Sequence, residues 1–281
     1  MGAMPGMAGM DHGGMAGTSD AGDVEYPAYL ANGRLPEAPR SLTARPGQRV
    51  RLRIVNAAAD TVFDVALGGH RLTVTHSDGF PVRPVTVDTV RVAMGERYDA
   101  TVTLADGVFP LTAVPLGKRG TPARVVLRSG GGAVPGVATV PEGLAGRRLD
   151  LADLVADMSV RLDGGTPDTV HDVVLGGDMA TYRWTVNGRP YEDTEPIVVR
   201  HGRFSRLRLV NRTTMPHPVH LHGHTFALSA PHGARKDTVL VPATGTVAVD
   251  LLADNPGRWM LHCHNAFHMA AGMMTRLEYR T

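Results

Sequence analysis

One pattern occurs twice in the chain, 155 residues apart, and this repeat limits what the chain can fold into. RLRIVN at residues 51–56 returns as RLRLVN at residues 206–211, and Asn-Gly-Arg at residues 32–34 returns at residues 187–189. In both copies an extended segment and a Gly turn separate the two signatures. The sequence therefore uses one structural unit twice.

The repeated unit is predicted to be a β-sandwich. Apolar residues alternate with polar residues in short segments between turn residues, a pattern typical of Greek-key sandwiches, and Gly (33) and Pro (20) are plentiful. We predict an all-β chain with two Greek-key sandwich domains, at residues 25–130 and 176–281. Between them, residues 131–175 are the predicted linker and connecting segment, with a short helix at residues 149–157. A Met/Gly-rich segment at residues 1–24 is predicted to be disordered.

Bulk properties argue against several classes of protein. The formal net charge is only +2 and no run of Lys and Arg is present, which argues against nucleic acid as a partner. No apolar run is long enough to span a membrane, and no signal peptide is visible. The single cysteine rules out an internal disulfide.

Most of the 13 histidines fall in two clusters in the second copy. The first cluster is HPVHLHGH at residues 217–224, and the second is HCHNAFH at residues 262–268, which contains the only cysteine. When Gly69-His70 is matched to Gly223-His224, the first copy has no histidine opposite the others of the first cluster. Packing therefore does not require those histidines, whereas His224, matched by His70, is expected to be structural. The remaining matches place Phe63 opposite His217, Ala66 opposite His220 and Gly68 opposite His222.

Strand alternation predicts two chemically distinct faces, because residues two apart point to the same side of a strand. Cys263 points away from its two histidine neighbours, and His217 points away from the other histidines of its cluster. If the two strands are adjacent, His217 and Cys263 share one face. The other face then carries an all-imidazole set, namely His220, His222, His262 and His264.

The cysteine-containing face has the donors of a blue copper site. Two histidines, one cysteine and a weak methionine form that ligand set, and the thiolate favours copper. His268 follows Cys263 by five residues, and both Met273 and Met274 fit the spacing of a weak ligand. Zinc is the rival metal, although structural zinc sites favour four closed ligands.

HPVHLHGH together with HCHNAFHMAAGM at residues 262–273 closely resembles the two C-terminal copper motifs of the multicopper oxidases, a family that includes laccases, bilirubin oxidases and bacterial cuprous oxidases. The resemblance implies cupredoxin folds, with a copper-free middle domain followed by a copper-binding third domain. It also implies a copper-dependent oxidoreductase. Such an enzyme couples the one-electron oxidation of a small reducing substrate, such as a phenol or Cu(I), to the reduction of dioxygen to water.

The same resemblance implies a role for each residue. Electrons pass from type 1 copper to a trinuclear cluster through the catalytic segment His262, Cys263 and His264. The implied ligands are His217, Cys263, His268 and axial Met273 for type 1 copper, His220 for type 2 copper, and His222, His262 and His264 for the type 3 pair.

The chain departs from the family in one respect. Family members take four further cluster histidines from a first domain as two His-x-His pairs, and this sequence has no such additional pairs. We therefore expect a complete type 1 site and half of a trinuclear cluster, as in a fragment, a mis-started product or one part of a split enzyme that is completed by a separate first cupredoxin domain or chain. The alternative is a non-catalytic copper-binding or electron-transfer protein with type 1 copper only. The resemblance implies a periplasmic or extracellular location.

Two further features receive an interpretation. The first 15 residues hold five methionines and His12, soft ligands that suit Cu(I) capture, and the competing interpretation is a low-complexity linker. Asp237, in Lys-Asp-Thr-Val, is a candidate substrate-orienting carboxylate, and its competing interpretation is a turn residue that begins a strand.

Overall fold

The protein is described here by a computed structural model over residues 23–162 and 165–280, which form two β-sandwiches. The all-β prediction is confirmed. The predicted disordered start and its methionines lie outside the described residues, apart from Asp23 and Val24. Within the described ranges, no helix is long and apolar enough to cross a membrane.

Each sandwich pairs two sheets of short strands. The first contains β1 (Arg40–Thr43), β2 (Arg49–Val55), β3 (Phe63–Leu67), β4 (Leu72–Ser77), β5 (Phe80–Val87), β6 (Val90–Val92), β7 (Arg97–Thr103), β8 (Val108–Pro115) and β9 (Ala123–Arg128). The second contains β10 (Thr169–Asp178), β11 (Arg183–Val186), β12 (Ile197–Arg200), β13 (Phe204–Asn211), β14 (His217–Leu221), β15 (Phe226–Leu228), β16 (Arg235–Lys236), β17 (Thr238–Val241), β18 (Thr246–Leu252), β19 (Arg258–Cys263), helix α1 (Ala266–Ala270) and β20 (Met274–Arg280).

The two sandwiches share one strand order. In the first, the sheets run β1-β9-β8-β3-β6 and β2-β7-β4-β5. In the second, they run β12-β20-β19-β14-β17 and β11-β10-β13-β18-β15-β16, so β10 and β11 are additions to the common plan. β1 pairs in parallel with β9, and β12 pairs in parallel with β20. The sequence repeat is therefore a repeat of topology.

The repeated signatures have specific structural roles. Asn32-Gly33 and Asn187-Gly188 both adopt positive φ, between 50° and 77°, which is the conformation that tight Asn-Gly turns need. Asn211 ends β13 and clamps the following loop, because its side chain donates to Met215 O and accepts from the Thr213 amide. Asn56 clamps the corresponding loop of the first copy in the same way.

The predicted boundaries between the halves need correction. The boundary at residue 176 falls inside β10, which belongs to the second sandwich because it pairs in parallel with β13. The predicted helix at residues 149–157 is wrong. The chain forms 3-10 turns at Leu151–Asp153 and Met158–Val160, because the stretch between them bonds to its neighbours: Ala156 bridges to Val82 of the first sandwich, and Val155 bridges to Gly233 of the second.

Residues 141–157 therefore pack on the protein surface as a strap. Leu149, Leu154 and Ala156 are buried, and Arg148 bridges to Thr89 in parallel. Further 3-10 turns occur at Glu142–Ala145 and Tyr191–Asp193. The strap thus contacts both sandwiches.

Candidate metal centre

Two adjacent strands carry the histidine clusters. β14 and β19 pair antiparallel, with Val219 opposite Cys263 and His220 opposite His262. His217 lies two residues before Val219 and thus shares the face of Cys263, which is completely buried. His222, in contrast, is exposed on the other side. The strand pairing and face alternation expected from the sequence are thus present.

Three donor atoms converge on the buried face. The Sγ atom of Cys263 lies 3.6 Å from Nδ1 of His217 and 3.8 Å from Nδ1 of His268, and the two Nδ1 atoms are 3.1 Å apart. All three side chains are fully buried. Among the described residues, they form a cluster whose ligand atoms lie within 4.8 Å of one another.

Local structure brings His268 to the cluster. It lies on α1, whose N-cap Asn265 accepts hydrogen bonds at its side chain from the amides of Phe267 and His268. The Asn265 amide in turn donates to Cys263 Sγ at 3.4 Å. Asn and similar side chains at an N-cap satisfy amides that lack helical partners, so one residue both begins the helix and contacts the thiol.

The electrostatics of the cluster suit a soft cation. Burial raises the pKa of the Cys263 thiol to about 12 and lowers the pKa of His217 to about 3. Without a cation, therefore, the thiol keeps its proton and the imidazole is neutral. A thiolate-binding cation would offset the cost of burying a negative sulfur, and two imidazoles with one thiolate are donors that copper prefers.

The backbone of Met273 is hydrogen-bonded to that of Cys263, whereas Met274 pairs with His262. The amide of Cys263 donates to Met273 O at 3.0 Å, and the Met273 side chain is fully buried. Met274 pairs with His262 across β19 and β20, so it shares the face of that histidine. The alternation that separates His262 from Cys263 therefore separates the two methionines as well.

The opposite face gathers the four remaining imidazoles. Nε2 of His222 and Nε2 of His262 are 3.0 Å apart, and the ring centroids of His220 and His264 are separated by 5.8 Å. Burial lowers the pKa of His262 to about 4 and also lowers the pKa values of His222 and His264. These three rings are therefore neutral near pH 7, the form in which imidazole binds metals.

The first sandwich contributes Gly95 and Arg97 to the surroundings of this imidazole face. Gly95 has φ +83°, and a Cβ atom there would lie 2.7 Å from Cδ2 of His264. Arg97 donates twice to the carboxylate of Asp237, at 2.6 and 2.7 Å, and one Asp237 oxygen lies 3.6 Å from Nδ1 of His220. Asp237 therefore joins the two halves beside His220, a role that neither interpretation from the sequence included.

His224 has the structural role expected from the repeat. Its Nδ1 lies 3.1 Å from His222 O, and Nδ1 of His70 lies 2.7 Å from Gly68 O at the corresponding turn. The register also supports the other matches, because Phe63 pairs with Val92 as His217 pairs with Val241. The first copy thus has the same scaffold without the imidazoles.

Sequence reasoning missed an aromatic cover on the buried cluster. Trp184 is buried, and its ring centroid lies 4.0 Å from that of His268 and 5.4 Å from that of His217. The 155-residue repeat could have predicted an aromatic residue at this position. Subtracting 155 from 184 gives Tyr29, which contacts Phe63 edge-on at 5.3 Å.

Comparisons with known proteins agree with this arrangement. Two family models, both described as multicopper oxidase, match residues 10–131 and 166–281. The multicopper oxidase MmcO of Mycobacterium tuberculosis is 49% identical over 92% of this chain and 52% of its own length. A copper resistance protein A homolog of Pseudomonas syringae pv. tomato is 28% identical over 92% of this chain and 59% of its own length. The chain thus spans about half the length of these relatives.

Solved structures give the same fold. Fet3p, a multicopper oxidase that functions in iron import, superposes with a TM-score of 0.75 at 20% identity, covering 88% of this chain and 58% of Fet3p. A mutant laccase of Botrytis aclada gives a TM-score of 0.73 at 26% identity, covering 85% of this chain and 53% of the laccase. The cupredoxin-like prediction for both sandwiches is confirmed by these neighbours.

Proposed function

Because this chain belongs to the multicopper oxidase family, we propose that its second sandwich binds a type 1 copper ion through His217, Cys263 and His268. Met273 is the proposed axial ligand. The observation that supports this most directly is the convergence of one sulfur and two nitrogen atoms within 4 Å of each other in a fully buried cluster. Copper bound there would accept one electron at a time from a reducing substrate.

The protein groups around the cluster hold its donors in place. Nε2 of His217 is 2.7 Å from the Thr213 hydroxyl, which also contacts Asn211 and the Met215 carbonyl. An N–H at Nε2 leaves the Nδ1 lone pair free to face the sulfur. Trp184 packs against both imidazoles. These contacts support a site that keeps its shape when the oxidation state of its ion changes.

The opposite face is proposed to supply part of a trinuclear copper cluster. His220 is assigned to type 2 copper, and His222, His262 and His264 are assigned to the type 3 pair. Four imidazoles do not provide enough ligands for three metal ions. We therefore assign the remaining ligands to a separate first cupredoxin domain or chain. Because His262 and His264 flank Cys263, a single peptide step joins the two faces on either side of the sulfur.

The proposed reaction is the oxidation of a small one-electron donor, such as a phenol or Cu(I), with reduction of dioxygen to water. The proposed location is the periplasm or the extracellular space. The proposed reaction rests on family membership together with the two-face arrangement of β14 and β19, and the proposed location rests on family membership alone. The sulfur-containing site and the imidazole site lie on opposite faces of the strands. This separation suits electron entry at the sulfur-containing site and oxygen reduction at the imidazole site.

A second function is supported by a different observation. Each imidazole ligand of the sulfur site lies in the second sandwich and is buried, whereas His222 on the opposite face is exposed. The chain on its own would then be an electron-transfer or copper-binding protein with type 1 copper only. This alternative predicts the same blue site without oxygen consumption.

Copper loading of the purified chain tests both functions. Copper per chain, visible and near-ultraviolet absorption, and oxygen uptake with a phenolic donor are measured together. The oxidase predicts intense blue absorption from the chain alone, and the near-ultraviolet band of a type 3 pair with oxygen uptake once a separate first cupredoxin domain that carries the two His-x-His pairs is added. The alternative predicts blue absorption with about one ion per chain and no uptake, with or without that domain. A wild-type chain without blue absorption, or a Cys263→Ser variant that keeps it, would contradict both.

A further inference from the structure

His268 has a partner on its outer side that lies far away in the sequence. While Nδ1 of His268 faces the sulfur, Nε2 lies 3.1 Å from Oδ1 of Asp23. The His268 side chain is 1% exposed and that of Asp23 is 5% exposed, so water does not replace this contact. An ionised carboxylate only accepts hydrogen bonds, so the shared proton belongs to Nε2, which leaves Nδ1 with a free lone pair toward the cluster.

The first sandwich holds Asp23 in this position. The amides of Asp23 and Val24 both donate to Oδ2 of Asp60, at 3.1 and 3.0 Å. Lys118 Nζ lies 2.8 Å from the same oxygen and 2.8 Å from Val24 O, and the side chains of Lys118 and Asp60 are fully buried. The segment that carries Asp23 is therefore tied to a rigid ion pair.

The two histidines of the cluster have different outer partners. For His217 the partner is the neutral hydroxyl of Thr213, four residues away in the same loop. For His268 the partner is a carboxylate 245 residues away, which is further held by Asn265 Nδ2 at 3.3 Å. A carboxylate partner raises the basicity of a metal-binding imidazole and fixes its tautomer more strongly than a hydroxyl does.

We propose that Asp23 is a positioning residue for the metal site, which fixes the Nε2–H tautomer and the ring orientation of His268. This proposal rests on the proposed type 1 site. It makes the copper-free sandwich part of that site, because the sandwich supplies the anchor for the carboxylate. Removing the carboxylate would leave His268 free to adopt the other tautomer and direct a proton toward the sulfur.

The tautomer of His268 can be measured in the metal-free protein. In ¹⁵N-labelled metal-free protein, long-range ¹H–¹⁵N spectra distinguish the two ring nitrogens, and the wild type should show a single Nε2–H form. Asp23→Ala should give a mixture of tautomers. Asp23→Asn keeps an acceptor oxygen at the same place and should restore the Nε2–H form. Asp193→Asn, at an exposed carboxylate on the Tyr191–Asp193 turn, is the matched control and should leave the spectrum unchanged.

Copper affinity gives the second measurement. Competition with a chelator should show that Asp23→Ala weakens copper binding about 10–100-fold, with Asp23→Asn between it and the wild type. The proposal is overturned if Asp23→Ala keeps the wild-type tautomer, or if its affinity stays within about twofold of Asp193→Asn. A wild-type chain that binds no copper would instead refute the proposed function, while the metal-free spectra would still decide the role of Asp23.

Discussion

Lys236 is a fully buried cation between the two sandwiches, and its removal should destabilise the protein strongly. Its Nζ lies 3.1 Å from Oδ2 of Asp78 and 3.3 Å from Oε1 of Glu96, and it also contacts the hydroxyls of Ser77 and Tyr98. At an effective dielectric constant of about 20, each ion pair is worth roughly 5 kcal/mol before desolvation. Lys236→Met leaves both carboxylates buried without this partner, which should cost about 3–5 kcal/mol.

The loss of stability in Lys236→Met should depend on pH. Burial raises the pKa of Glu96, and the charge of Lys236 opposes that increase. Lys236→Met removes this favourable charge. Glu96 in the folded variant should then take up a proton at a pH well above its pKa in the unfolded chain, which is about 4.3. A raised folded pKa gives stability that is present at low pH and is lost as pH rises through that pKa. The Lys236→Met variant should therefore lose more of its free energy of unfolding at pH 8 than at pH 5.

Urea unfolding of the metal-free protein, followed by fluorescence, measures this effect. Both tryptophans lie in the second sandwich, which contains Lys236, and Trp184 is buried. Arg208→Met removes an ion pair with Asp172 in which both side chains are about half exposed, so it should cost less than about 1 kcal/mol. A loss below about 1 kcal/mol for Lys236→Met at pH 8, or an equal loss at both pH values, would refute the reasoning.

Four other substitutions test local features. Gly95→Ala should cost about 1–3 kcal/mol in thermal unfolding and shift the ring signals of His264 in NMR spectra, because its Cβ would collide with that ring. Asn211→Ala should lower both stability and copper affinity, whereas Asn56→Ala, the same clamp in the first copy, should lower stability alone. Met273→Leu should keep copper bound and change the reduction potential of the site, as measured by redox titration.

Much of the fold could be predicted from the sequence, because the determining signals were local or repeated. The 155-residue interval identified two equivalent sandwiches, and alternation along β14 and β19 separated His217 and Cys263 from the other imidazoles. The strap at residues 141–157 was not predictable. Its apolar residues resemble a helix face, and only the bridges to Val82 and Gly233 decide that Val155 and Ala156 are extended.

The surroundings of the site could be predicted only in part, because the determining contacts join distant parts of the chain. Asp23 meets His268, and Gly95 meets His264, without any sequence pattern that links the members of either pair. Trp184 is the exception, since it occupies the place that Tyr29 has in the first copy.

The first copy, which has Phe63 where His217 stands in the second, bears on how copper would reach the proposed site. It keeps the same strand order with Phe63 where His217 stands, so the scaffold can finish folding before any ion arrives. In the finished scaffold, however, Cys263 and His268 have no accessible surface. A copper ion that arrives after folding could enter only when the segment around α1 opens briefly. The rate of this opening, rather than the rate of encounter with copper, would then limit maturation of the protein.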